Sequence, residues 1–245
     1  MIELSELTRH YGSKVAVAGL DLHVPSGELF AFLGPNGAGK TTTIKMMVGL
    51  LRPTRGVMRI CRLDVVEQAR QVNARTGYVP DEPYLYDKLS GREFLQFIGE
   101  IYGLSTHDVE TCIAEQIERF SLGEFIDQLA ENYSHGMKQR LVFAAALLHE
   151  PEVLIVDEPM VGLDPRSMRL VKDLLRERAD NGTTVFMSTH TLAVAEEIAD
   201  RIGVITNGEL IFLGTVDQLR QQLASDDSLE QLFLALTDEA VPSEL

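Results

Sequence analysis

The sequence predicts an α/β fold: a mostly parallel sheet with helices, an antiparallel β part at its N-terminal end and an inserted α-helical subdomain. Three observations predict it. The apolar run Glu28–Leu33 enters a glycine-rich stretch, Gly34–Thr43, that passes straight into the helical pattern Ile44, Met47, Val48, Leu51. Further on, Val153–Val156, Pro165–Arg178 and Thr183–Ser188 read as strand, helix and strand, a unit typical of parallel sheets. Between them, from about Pro83 to His149, the pattern is helical.

The first strands are Ile2–Leu7 and Val15–Val24, flanking a turn at Tyr11–Lys14. In the helical stretch, Ser90 and Glu93 have capping-box spacing, followed by Phe94, Phe97, Ile98 and Ile101 at helical intervals. A second helix fits Asp108–Phe120, with Val109, Ile113, Ile117 and Phe120 on one face. Ser121–Glu124 could cap a third. Tyr133-Ser134-His135-Gly136 opens another helix through Leu148, before Pro151. Asn181-Gly182 is a turn, and Gly203–Thr206 and Leu210–Leu213 form a hairpin through Asn207-Gly208. The expected division is an α/β core at 1–82 and 150–215, a helical subdomain at 83–149 and an acidic tail at 216–245.

A chain of 245 residues, 45% hydrophobic and 24% charged, has an ordinary globular composition and can bury a substantial core. Its net charge of −15 argues against a nucleic-acid partner, because phosphate backbones are bound by clustered Lys and Arg. A nucleotide site is still possible, since a nest of backbone N–H groups holds phosphate in an acidic protein. Beyond Arg220 there is no Lys or Arg, which reads as a solvated, partly helical end. Cys61 and Cys112 have no paired spacing, which fits a reducing, cytoplasmic setting. The N-terminal segment lacks the apolar core of a signal peptide, and the longest apolar stretch, Leu141–Leu148, is too short to span a bilayer. Any work at a membrane would pass through another subunit.

Gly34-Pro35-Asn36-Gly37-Ala38-Gly39-Lys40-Thr41 matches G-x-x-x-x-G-K-[ST] in full, with Thr42 following. Small residues let the backbone wrap a β-phosphate, and the next helix turns its N-terminal dipole toward the same anion. Lys40 can reach the β- and γ-phosphates, and the Thr41 hydroxyl can ligate Mg²⁺. In Val153-Leu154-Ile155-Val156-Asp157-Glu158-Pro159, two acids stand at the carboxyl end of a buried strand, where open parallel sheets place ligands. Asp157 suits Mg²⁺, and Glu158 suits orienting and deprotonating an attacking water. These two motifs establish a P-loop NTPase and no more, for which a RecA-like core is the expected fold and a nucleotide and Mg²⁺ are the expected ligands.

The segment Tyr133-Ser134-His135-Gly136-Met137-Lys138-Gln139-Arg140 resembles the signature of the ATP-binding cassette (ABC) family, in a form associated with exporter-type, ABC-2-like subunits. The resemblance covers about residues 1–220. It implies that Tyr11 stacks on adenine, that His190 contacts the γ-phosphate and supports water activation, and that Gly162-Leu163-Asp164-Pro165 is the loop crossing a dimer interface. It further implies two subunits sandwiching two ATPs. Each site then joins the phosphate loop of one chain to Ser134, Gly136 and Asp164 of the other.

Two features depart from the family pattern. Asp81, after Gly77-Tyr78-Val79-Pro80, stands where Gln is usual; it cannot donate when ionised, yet can accept from water or ligate the metal. Tyr133 and His135 replace Leu and Gly in the signature, so the His135 side chain must point away from the phosphate. The implied function is ATP-driven transport, of exporter type, through a separate transmembrane permease, with the subunit peripheral on the inner face of the membrane. The permease would dock near Asp81–Tyr86, where Tyr84 and Tyr86 suit a contact or could equally be core. The competing expectation is a soluble ABC ATPase in a non-transport complex. Such relatives usually carry long coiled coils, zinc-binding cysteines or two cassettes, none of which is visible here.

Overall fold

A computed structural model describes residues 1–223; the acidic tail foreseen at 216–245 therefore lies outside the described residues beyond its first helical turns. The chain opens with β1 (Ile2–Tyr11), β2 (Lys14–Val24) and β3 (Leu29–Leu33), then α1 (Lys40–Met47), β4 (Arg55–Ile60), β5 (Leu63–Asp64), α2 (Ala69–Asn73) and β6 (Thr76–Val79). Helices α3 (Gly91–Ile101), α4 (Thr106–Phe120) and α5 (His135–Leu147) follow. Then come β7 (Val153–Val156), α6 (Pro165–Asp180), β8 (Thr184–Thr189), α7 (Leu192–Ile198), β9 (Arg201–Thr206), β10 (Glu209–Gly214) and α8 (Val216–Leu223).

Two sheets result. One is four-stranded and antiparallel, ordered β2-β1-β4-β5, and the other six-stranded, ordered β10-β9-β3-β8-β7-β6, parallel except for the β9–β10 hairpin. The central strands β3, β7 and β8 are buried along their whole length, as expected of a sheet covered on both faces. Alternation sends Phe30, Phe32, Val153, Ile155 and Phe186 to one face, against Ile44, Met46 and Met47 of α1 and the antiparallel sheet. Ala31, Leu33, Leu154, Val156, Val185 and Met187 face the other way, toward α3–α7. Phe186 stacks on Phe30 and meets Phe32 at a tilt, with ring centroids 5.5 and 5.4 Å away, contacts worth about 0.5–1.5 kcal/mol per pair beyond area burial.

The capping box forms as read: Ser90 Oγ accepts from Glu93 N, and Glu93 Oε2 accepts from Ser90 N. A third helix after Ser121 does not. Ser121 instead closes α4 in a left-handed conformation, φ 51°, and Leu122, Phe125 and Ile126 are buried from a run of turns ending in a 3-10 turn at Ala130–Asn132. The strand β4 was not foreseen because only Met58 and Ile60 of its six residues are buried. At the β9–β10 turn, Asn207 and Gly208 both take positive φ, 50° and 84°, as a two-residue type I′ hairpin requires.

Between α5 and β7, His149 stacks flat on Tyr102, with centroids 3.6 Å apart. Burial pulls its pKa down to about 4. The native state thus holds it neutral while the unfolded chain takes a proton below the ordinary value near 6.5. The stabilisation from neutral His149 is therefore complete above that value and lost as pH falls toward 4, a total of at most about 3 kcal/mol. His149→Phe keeps the ring stack, so urea midpoints of the variant should fall less than wild type between pH 7 and pH 4. Parallel curves would contradict this account.

Candidate active site

The loop Gly34–Gly39 leaves the end of β3 and is walled on two sides. A Cβ on Gly34 would lie 2.3 Å from the Ile205 carbonyl oxygen, and one on Gly39, at φ 113°, 2.5 Å from that of Ala16. Neither position admits a side chain. The β9–β10 turn braces the loop further, Gly208 N donating to the Ala38 carbonyl at 2.9 Å. The loop opens onto a cavity of about 360 Å³ that Tyr11, Pro35, Asn36, Gly37, Gly39, Lys40, Thr41, Thr42, Asp81 and Glu158 line, together with Lys14 and Ala16. Nearly all the residues read as a nucleotide site thus meet in one place. Gly34 and Ala38 complete the loop behind that lining.

Charge is concentrated at one end. Lys40 is buried, donates to the carbonyls of Gly34 and Pro35 at 2.7 and 3.2 Å, and places Nζ 3.1 Å from Glu158 Oε1. The other carboxylate oxygen, Glu158 Oε2, lies 2.9 Å from Nδ1 of His190, whose side chain is half exposed. Glu158 itself has φ 47°, a left-handed conformation that is uncommon for a non-glycine residue and clusters at functional sites. Burial, then the carboxylates of Asp157 and Glu158, push the Asp81 pKa up. Burial, then Asp157 and Asp81, push the Tyr78 hydroxyl up to about 12. Three acids and one cation converge here.

Asp157 is 1% exposed. Its Oδ1 accepts from the Ser188 hydroxyl at 2.6 Å, while Oδ2 is buried with no hydrogen-bond partner. Leaving a carboxylate oxygen so is costly, and a cation beside it would satisfy it. Among the described residues no cluster of three or more His, Cys, Asp or Glu could hold a metal alone. Mg²⁺ is usually held by one or two protein groups plus phosphate oxygens, and the partnerless Asp157 Oδ2 is a group of that kind.

Ser134, Gly136 and Asp164 do not line this cavity. Ser134 caps α5, accepting from Met137 N at 3.3 Å, and Gly136 has open space where a side chain would be. Asp164 caps α6, accepting from Arg166 N and Ser167 N, and the bonds from Ser167 hold its carboxyl below the usual range. The departures from the signature pattern have local explanations. Tyr133 is buried, donating to the Phe125 carbonyl at 2.7 Å and accepting from Gly91 N at 3.1 Å. His135 turns its ring onto its own chain, with Nε2 3.3 Å from the Val161 carbonyl oxygen.

Two contributors escaped the sequence reading. Arg9 lays its guanidinium 4.8 Å from the Tyr11 ring centroid while donating to the Arg52 carbonyl at 2.8 Å, which stiffens that aromatic platform. Ser188 joins Asp157 and Glu158, its hydroxyl accepting from Glu158 N at 2.9 Å. Its one trace in the sequence is a hydroxyl that directly follows the apolar run Val185-Phe186-Met187 in a strand buried along its whole length.

A parallel sheet, a glycine loop feeding a helix, and an acid pair facing the loop lysine define the class of P-loop nucleotide hydrolases. Residues 17–161 match the family model for the ABC transporter. The chain is 42% identical over 225 residues to the daunorubicin/doxorubicin resistance ATP-binding protein DrrA of Streptomyces peucetius, covering 92% of this chain and 68% of that protein. It is 36% identical to the linearmycin resistance ATP-binding protein LnrL of Bacillus subtilis (strain 168), covering 98% and 77%. A solved structure described as the ATP binding subunit of an ABC transporter superposes with a TM-score of 0.89 at 32% identity, covering 96% and 99%. The chain belongs to the ABC transporter family: it is an ATP-binding subunit that hydrolyses ATP to ADP and phosphate. No helix of the described residues is long and apolar enough to cross a membrane.

Proposed function

We propose that this subunit powers export of a drug or antibiotic-like compound through a separate membrane permease, closing as a dimer around two ATPs. The observation that carries the hydrolytic part is the Glu158 carboxylate, held between Lys40 at 3.1 Å and His190 at 2.9 Å beside the loop cavity. In this reading the loop N–H groups and Lys40 bind the phosphates, and adenine stacks on the open face of Tyr11. Thr41 and Asp157, with Asp81 nearby, would hold Mg²⁺, which when bound offsets the charge that develops on the phosphates. Glu158 orients a water and takes its proton as the water oxygen attacks the γ-phosphorus; the bond to the β-phosphate oxygen breaks, leaving ADP and phosphate. His190 steadies the carboxylate.

Export is supported by relatives named for daunorubicin/doxorubicin resistance, linearmycin resistance and bacitracin transport. Dimer closure is supported by the placement of Ser134, Gly136 and Asp164 outside their own chain's cavity, and a cassette of the same fold, MJ0796, is dimeric. The helical segment 83–149 is read as the subdomain that presents Ser134 to the partner, with 1–82 and 150–215 as the ATP-binding core. Tyr84 and Tyr86, exposed beside Phe97, offer the aromatic surface for a permease segment, which would hold the subunit on the inner membrane face. Lys40→Ala tests the site. It should weaken fluorescent-ATP binding at least ~30-fold, since removing one partner of a buried charge pair costs roughly 2 kcal/mol or more. Unchanged affinity would move the phosphate site elsewhere.

A further inference from the structure

We propose that Ser188 is a positioning residue for hydrolysis, its hydroxyl fixing both the carboxylate of Asp157 and the backbone of Glu158. The inference rests on the roles given to those two acids above. Its geometry follows from register. In the six-stranded sheet β8 lies between β3 and β7, so its carboxyl end stands between the glycine loop and the acid pair. Phe186 pairs with Ile155, and two residues further along each strand Ser188 and Asp157 point to the same face as those two. Ser188 is 0% exposed there.

A serine hydroxyl has one hydrogen to give and lone pairs to accept with, and both capacities are used on the acid pair. The hydrogen goes to Asp157 Oδ1 at 2.6 Å, which leaves Oδ2 as the buried oxygen with no partner. The lone pair accepts from Glu158 N at 2.9 Å, pinning the residue whose φ is 47°. The same strand end carries His190 against Glu158 Oε2. β8 thereby holds Glu158 at its backbone and its carboxylate, and selects the Asp157 oxygen offered to a cation. Removing the hydroxyl frees the Asp157 side chain to rotate and leaves the Glu158 amide unpaired.

The test compares full-length wild type, Ser188→Ala, Ser188→Thr and Asp157→Ala. Mn²⁺ affinity is titrated by electron paramagnetic resonance with a non-hydrolysable ATP analogue, alongside steady-state Mg-ATP turnover and analogue binding in EDTA. Groups that orient a metal ligand typically contribute about 10–100-fold, so Ser188→Ala should lose that much in Mn²⁺ affinity and in turnover, with metal-free binding unchanged. Ser188→Thr keeps the hydroxyl and should recover most of the loss, whereas a serine that only filled space would tolerate alanine better than threonine. Ser188→Ala within twofold of wild type in Mn²⁺ affinity would overturn the proposal, as would an equal loss of metal-free binding. Asp157→Ala with normal Mn²⁺ affinity would instead remove the underlying metal-site reading.

Discussion

Replacing Glu158 with Gln should remove most turnover and leave ATP binding intact. The amide keeps the size and one oxygen of the carboxylate, so the loop, Lys40 and Tyr11 still meet the nucleotide. What disappears is the proton acceptor, a loss of roughly 10²–10⁴-fold in rate for a general base. If closure proceeds as proposed, the variant should also accumulate as an ATP-dependent dimer on gel filtration, because the reaction that reopens the dimer is blocked. Phosphate release and fluorescent-ATP titration measure the two halves separately. Turnover within a few-fold of wild type would refute the role given to Glu158. The ion pair with Lys40 adds a second expectation. Gln cannot hold that charge, so Lys40 should be freer for phosphate and ATP affinity should not fall.

Much of this candidate site is legible in the sequence, because its chemistry depends on short segments with strict local demands. Gly34 and Gly39 are fixed by carbonyl oxygens at 2.3 and 2.5 Å from any added Cβ, and a glycine pattern with a strand before it and a helix after it announces that crowding. Asp157 and Glu158 follow four fully buried apolar residues, a transition visible in sequence. The residues that stayed hidden act across the sheet or from the surface. Ser188 acquires its role only when β8 inserts between β3 and β7, an order that no local pattern states. Arg9 looks like a strand-surface charge until its guanidinium is found over Tyr11. The third helix foreseen after Ser121 failed for a related reason. Ser121 ends α4 at φ 51°, and the buried side chains of Leu122, Phe125 and Ile126 pack from turns instead. Tertiary burial there outweighs the capping preference that a serine and a glutamate three residues apart express.

In the proposed function each hydrolytic site is shared between two chains, and mixing two defective variants tests that sharing. A Ser134→Arg chain has a sound phosphate loop but cannot complete the site opposite, whereas a Lys40→Ala chain has the reverse defect. Ser134 is exposed and contributes an N-cap, so its loss costs about 1 kcal/mol of stability, too little to unfold the subunit. Each homodimer should be nearly inactive, because both of its sites contain one broken half. In a mixed dimer one site collects both defects and the other has none, so activity should return, up to about half that of wild type if the two sites of a symmetric dimer fire independently. Steady-state phosphate release against mixing ratio should therefore rise from near zero at either pure end to a maximum at equal amounts. A Ser134→Arg chain that alone retains wild-type turnover would contradict the account, leaving Ser134 an ordinary helix cap.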